Sequence, residues 1–205
     1  MDTRMFVGLD LGQVSDYSAL VIMERPVWHP RTLHDPKPVY AVRHLYRFPL
    51  GTSYPDVVQE MYRLLSQPEL RDCVFTVDQT GVGRAVVDLI SHELGNKVTC
   101  LFAPITITAG HAVASGNGTG YHVPKKELVS TVQVLLQARR LQIASGLEHA
   151  ETLVRELQNF KVKITLARNE TFEAWREGVH DDLVLSLALA AWCGERALVG
   201  EGRRG

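Results

Sequence analysis

Four aspartates stand where a carboxylate is costly to place. Asp10 interrupts an apolar run over residues 5–11, and Asp78 ends a second such run that begins at Cys73. Asp181 and Asp182 open a stretch, residues 179–197, that is apolar on nearly every side. An ionised carboxylate in such surroundings is destabilising unless a hydrogen bond, a proton or a cation compensates it. Taken singly, each has an ordinary explanation. Asp10 could serve the turn at Gly12, Asp78 could accept the amides of the turn over 80–83, and a double aspartate suits a helix N-terminus. Taken together, the three stations point to different chemistry. Carboxylates crowded into one place repel unless cations neutralise them. An all-oxygen donor set favours Mg2+ or Mn2+ over Zn2+. Two such ions roughly 4 Å apart activate a water and stabilise a leaving oxygen, which is the chemistry of phosphodiester hydrolysis.

The elements that must bring these residues together can be read from the pattern. Residues 5–11 read as a buried strand, 12–16 as a turn and 19–23 as a second strand, so the chain opens as a hairpin. Four prolines make 26–38 an irregular loop before a third strand over 39–48. There Val39, Ala41 and Leu45 alternate imperfectly with Arg43, His44 and Arg47. Ser53 caps a helix with Val57, Val58, Met61, Leu64 and Leu65 at helical spacing. A buried strand over 73–78 turns through Thr80, Gly81, Val82 and Gly83 into a helix over 84–94, closed by Gly95. Residues 98–103 give a further strand, and the glycine-rich stretch 108–121 a loop. Pro124 opens a helix to about residue 138, and 147–160 forms another. Residues 161–167 and 171–175 are expected to pair as a hairpin around Arg168, Asn169 and Glu170, and 179–197 is the last, buried helix. This order predicts an α/β fold: a mixed sheet of an antiparallel hairpin meander plus parallel strands, flanked by helices on both faces. One domain is expected over 1–197, with 198–205 as a flexible C-terminal tail.

Bulk composition narrows the function classes. The 205 residues suffice for one full domain with a substantial core. No apolar run reaches the ~18 residues of a membrane span, and the N-terminus lacks a signal-peptide pattern, so a cytoplasmic protein without membrane contact is expected. Cys73, Cys100 and Cys193 sit singly in apolar stretches and read as reduced core residues, with no zinc site or disulfide framework. A net charge of −1 is unusual for a protein whose main task is gripping nucleic acid. Any DNA affinity must come from local basic patches, from metal ions or from a partner. Lys125 and Lys126 at a helix start are the first candidates, followed by Arg139 with Arg140, and Lys161 with Lys163. His180 could orient a ligand or assist proton transfer, or simply cap the helix. Asp16 could reach the site from its turn, or be a plain turn residue.

In chain order, Gly8-Leu9-Asp10-Leu11-Gly12 followed by Asp16, then Val77-Asp78-Gln79-Thr80-Gly81-Val82-Gly83, then His180-Asp181-Asp182-Leu183-Val184 with Ala188 and Ala190, resemble a known family. Tyr121-His122-Val123-Pro124-Lys125 and the strand at Arg140-Leu141 fit the same pattern. The family is the nuclease domain of tailed-phage large terminases, in the RNase H-like/RuvC-like superfamily, and the resemblance spans residues 5 to 195. It implies an RNase H-like fold and an endonuclease that cuts concatemeric viral DNA during genome packaging, in the host cytoplasm. It implies Asp10 and Asp78 as catalytic metal ligands, with a third from the Asp181–Asp182 pair, and two Mg2+ or Mn2+ ions. Asp182 is favoured as the primary ligand and Asp181 as a supporting one; lying ~100° apart on a helix apolar all round, they are not separated by periodicity. The implied partners are double-stranded DNA, a terminase ATPase domain or subunit, a small terminase and a portal. The chain has no GxxxxGK[ST] phosphate loop, so only the cutting module is expected here.

Two other enzymes share some of these features. Gly8-x-Asp10-x-Gly12 and Asp78-x-Thr80-Gly81-x-Gly83 are also similar to phosphate-binding turns of actin-like and sugar-kinase ATPases, which need two such domains. A RuvC-like Holliday-junction resolvase would prefer four-way junctions to linear duplex. A silent adaptor keeping the fold is a third alternative, against which all three acidic stations speak.

Overall fold

In the computed structural model, which describes residues 2–12, 16–30, 32, 34–81, 83–95, 97–116, 118, 120–166 and 181–202, the apolar runs become the middle of a mixed sheet. Strand β1 (Thr3–Asp10) pairs antiparallel with β2 (Ala19–Pro26), and β2 antiparallel with β3 (Tyr40–Arg47). On the other side of β1, β4 (Cys73–Val77) runs parallel to it, and β5 (Cys100–Phe102) runs parallel to β4. A second, small sheet follows, made of β6 (Ile105–Thr108), β7 (Ala114–Ser115) and β8 (Tyr121–Pro124) in the order β6-β8-β7. Finally β9 (Leu141–Ile143) adds parallel to β3, giving the main sheet the order β5-β4-β1-β2-β3-β9.

Successive side chains of a strand point to opposite faces, so each central strand serves two cores. Val7, Leu9, Leu20, Ile22 and Phe75 pack beneath α1 (Tyr54–Leu65) and α2 (Gly83–Leu94). Phe6, Val21, Met23, Val42 and Val74 pack on the opposite side, beneath α3 (Lys125–Gln137), α4 (Ala150–Leu166) and α5 (Asp182–Gly202). The expected arrangement of helices on both faces is therefore present, as is the Ser53 cap, whose hydroxyl accepts the Asp56 amide. Helix α5 lies directly on the sheet and is buried along most of its length, as its all-round apolar character requires.

Four expectations need correction. The buried phase of β3 is Tyr40, Val42 and Leu45, not Val39, Ala41 and Leu45. The register against β2 slips between Ile22 and Met23, leaving Arg43 as an extra residue, and such a bulge is what spoils the alternation. Stretch 108–121 is not all loop, because its ends and Ala114–Ser115 belong to the small sheet. Residues 161–166 continue α4 rather than forming a strand. Their β-branched Val162, Ile164 and Thr165 mimic a strand, but no glycine or proline interrupts the helix from Ala150 onward, and propensity is a weak term against continuation. The remainder of that expected hairpin lies outside the described residues. Finally, α5 runs to Gly202, past the expected end at 197.

Candidate active site

Alternation decides where each aspartate points. On β1, Phe6 lies on the α5 side and Val7 and Leu9 on the opposite side, so Gly8 and Asp10 share the α5 side. On β4, Val74 lies on the α5 side and Phe75 and Val77 opposite, so the parity assigns Thr76 and the following Asp78 to the α5 side. The two strands are parallel with Leu9 opposite Val77. Asp10 and Asp78 therefore emerge at the same height, on neighbouring strands and on the same face. The Asp78 amide donates to the Leu9 carbonyl at 3.0 Å, extending the pairing by one residue.

The third station arrives on α5, and Gly8 is what lets it come close. A Cβ at Gly8 would lie 2.0 Å from the Ser186 carbonyl oxygen and 3.0 Å from the Ala190 nitrogen, so any larger residue would push the helix away. The Ser186 hydroxyl lies 2.8 Å from both the Asp182 and the Ala19 carbonyl oxygens, and Ala19 is the residue paired with Asp10. Asp182, one turn before Ser186, is thereby brought toward Asp10. The field at Asp10 records the result. Its carboxyl is held well above the ordinary carboxylate range, first by burial and then by the charges of Asp78, Asp182 and Asp181, while Lys125 acts in the opposite sense. Asp182 is buried and Asp181 half-buried, so the helix start places both of the pair at the cluster with Asp182 the more enclosed.

Asp78 is held from behind. The Asp78 Oδ1 accepts the Thr80 amide at 2.7 Å, so the turn-bonding reading of Asp78 is correct for one of its oxygens. The Thr80 hydroxyl accepts the Ile107 amide, the Gln79 side chain donates to the Thr106 hydroxyl, and the Gln79 amide donates to the Ile105 carbonyl. The small sheet is thus fastened to the Asp78 turn. Its middle strand, β8, runs directly into α3, which puts Lys125 within electrostatic reach of Asp10.

Two further residues carry no sequence signal. Glu156 of α4 accepts the Leu183 and Val184 amides on Oε2, at 3.1 Å each, and so caps the N-terminus of α5. Burial pushes the Glu156 carboxyl up to about 7; the Val184 amide and Arg47 oppose this, and Asp182 and Asp181 reinforce it. Arg47, the last residue of β3, pairs through Nη2 with Glu156 Oε1 and stands 3.3 Å from Asp182 Oδ2. Its guanidinium lies over the Tyr17 ring, 4.6 Å from the centroid. From sequence, Arg47 was one of several basic residues in a strand, and Glu156 one of many charges on a helix.

As the side chains stand, no three His, Cys, Asp or Glu residues among those described enclose a common point tightly enough to hold an ion. Asp182 faces Arg47, and Asp78 is bonded to Thr80. The donor set nevertheless fits a hard dication, being all oxygen and mutually repulsive. The other expected residues are placed as follows. Asp16 is exposed, and its carbonyl oxygen lies 2.3 Å from where a Cβ on Gly12 would stand. Lys126 is exposed, with Nζ 2.9 Å from His111 Nδ1. His180 lies outside the described residues. Arg140, expected among the DNA contacts, is buried instead. Its Nη1 and Nη2 bond Glu195 at 3.1 and 2.7 Å, and its Nε donates to the Pro38 carbonyl at 3.0 Å. Its own carbonyl accepts the Tyr40 amide at the start of β3, the end remote from Arg47, about 20 Å away along the strand. The structure does not bring it to the carboxylates.

No protein-family model matches the sequence, and no curated protein is significantly similar to it. The nuclease of the large terminase from thermophilic phage G20c superposes with a TM-score of 0.57 at 19% identity, covering 92% of this chain and 81% of that one. The human cytomegalovirus terminase nuclease domain gives 0.56 at 14% identity, covering 97% and 87%. The same domain, Mn-soaked and inhibitor-bound, gives 0.51 at 12% identity, covering 94% and 84%. At such identities the likeness is one of architecture, and it is the one anticipated from the motifs: this chain has the RNase H-like fold of viral terminase nuclease domains.

Proposed function

We propose that this chain is the cutting module of a DNA-packaging nuclease, hydrolysing phosphodiester bonds of double-stranded DNA with two Mg2+ or Mn2+ ions. The observation that supports this reading best is the convergence of Asp78, Asp182 and Asp181 on the raised Asp10 carboxyl, a cluster that cations would relieve. Asp10, Asp78 and Asp182 would hold the ions, with Asp181 as a further ligand at their edge. When bound, the ions would supply an activated water and stabilise the leaving oxygen. Lys125, already in the field of Asp10, would balance the negative charge of the incoming phosphate, aided by the partial positive charge of the α3 N-terminus. Lys126 beside it would touch a neighbouring phosphate, and Glu156 would keep Asp182 seated. A Mn-soaked neighbour of the same fold suits Mn2+ as the first ion to try. With a net charge of −1, the chain would rely on a partner to retain DNA. By the terminase likeness that partner is an ATPase acting with a small terminase and portal, and the substrate is concatemeric DNA. Supercoiled plasmid incubated with Mn2+, Mg2+ or EDTA tests this, using wild type, Asp10→Ala and Asp78→Ala. Cleavage is expected only with wild type and metal; cutting that survives EDTA or either substitution refutes the mechanism.

A further inference from the structure

We propose that Arg47 is a resident counter-ion of Asp182, held ready by Glu156, which a divalent ion must displace from that carboxylate before the site is loaded. The inference rests on the metal-site reading above. It starts from an oddity of the cluster: one of its carboxylates already faces a cation. Arg47 Nη2 stands 3.3 Å from Asp182 Oδ2, and the two side chains are 15% and 8% exposed. A guanidinium and a dication cannot share that carboxylate without strong repulsion in a site so poorly screened by water.

The surroundings give Arg47 somewhere to go. Its Nη2 also pairs with Glu156 Oε1, so releasing Asp182 does not leave the guanidinium without a carboxylate. Its Nε makes no hydrogen bond among the described residues, so the planar group is not locked in a fork and can pivot over the Tyr17 ring. Glu156 meanwhile keeps its other oxygen on the Leu183 and Val184 amides. The helix start that carries Asp182 therefore stays in place whichever carboxylate Arg47 favours. Arg47 offsets the acidic cluster in the metal-free protein and competes with the metal as it arrives. It is a positioning residue that sets the metal concentration at which the site fills.

The signs of three substitutions follow. Arg47→Met removes the competitor and tightens Mn2+ binding while lowering the melting temperature of the metal-free protein. Arg47→Lys keeps a charge at the same place and stays near wild type. Glu156→Gln withdraws the alternative partner, leaves Arg47 to Asp182 and weakens Mn2+ binding. Calorimetric titration of the metal-free proteins with Mn2+, alongside thermal melts, measures all three together with Asp10→Asn. Arg47→Met is expected to bind about fivefold more tightly, Arg47→Lys within about twofold of wild type, and Glu156→Gln about fivefold more weakly, the coupling expected of charged neighbours. Equal or weaker binding by Arg47→Met overturns the counter-ion role, since a residue needed only for packing would lose stability without gaining affinity. If Arg47→Met does not fold, Glu156→Gln decides: binding as tight as wild type overturns the proposal. Wild-type protein that shows no Mn2+ binding sensitive to Asp10→Asn overturns the metal site itself, and the counter-ion with it.

Discussion

Replacing Gly8 with alanine separates the distance between carboxylates from their chemistry, because it touches none of them. The added Cβ would sit 2.0 Å from the Ser186 carbonyl oxygen, against an ordinary contact of about 3.4 Å, so α5 must withdraw from β1 by about 1.4 Å. The obstacle is backbone on both sides, and no side chain can swing away to make room. Overfilling a packed interface costs about 1–3 kcal/mol. In a chain of this size that lowers the melting temperature by about 2–12 °C. The larger effect falls on the site. Asp182 lies one turn from Ser186 and Asp10 two residues from Gly8, so the withdrawal changes their separation by a similar amount. A misplacement of about 1 Å at a reacting centre costs roughly 100-fold in rate. Plasmid cleavage with Mn2+ at a temperature where the variant is fully folded, together with a thermal melt, reads both effects. Gly146→Ala is the control, since nothing lies within 4 Å of that position. A Gly8→Ala protein that melts within about 1 °C of wild type and cuts at the wild-type rate would show that helix approach does not set the carboxylate spacing.

Three other outcomes are expected. Asp10→Asn raises the melting temperature of the metal-free protein at pH 7.5 by about 2–6 °C, because it removes a charge that is costly first through burial and then through repulsion from Asp78, Asp182 and Asp181. The Asp10 carboxyl is raised in the folded state, so that state binds the extra proton and is penalised as pH climbs; the gain over wild type should accordingly shrink in melts at pH 5. Mn2+ at about 100 times its dissociation constant stabilises wild type by about 2.7 kcal/mol, roughly 5–11 °C in a melt, whereas Asp78→Asn gains much less. Arg140→Ala leaves Glu195 without its guanidinium partner and is expected to lose about 2 kcal/mol or more in denaturant unfolding, with DNA cleavage per folded molecule unchanged.

Asp10 and Asp78 were legible because a charge inside an apolar strand is conspicuous, and strand parity then assigns both to one face. The α5 helix was legible for the related reason that its residues are apolar around the whole circumference. Arg47 and Glu156 were not. Their importance comes from where β3 ends and α4 passes in space, and nothing in the chain between residues 47 and 156 announces that they meet at the start of a third element. Arg140 misled in the opposite direction. A basic residue beside a helix end looks like a phosphate contact, and only the position of Glu195, 55 residues on, turns it inward. The small sheet escaped notice because strands of two to four residues set among glycines have too little pattern to detect.

Helix α5 brings the last carboxylate of the cluster and also covers one whole face of β1 and β2. A ribosome makes Asp10 and Asp78 well before Asp182. Until residues 182–202 have emerged, Phe6, Val21 and Met23 have no lid and the two strand aspartates have no third companion. Burial of that face and completion of the acidic cluster therefore both depend on α5 docking, which must close a very long loop. A half-made chain carries two of the carboxylate stations without the third.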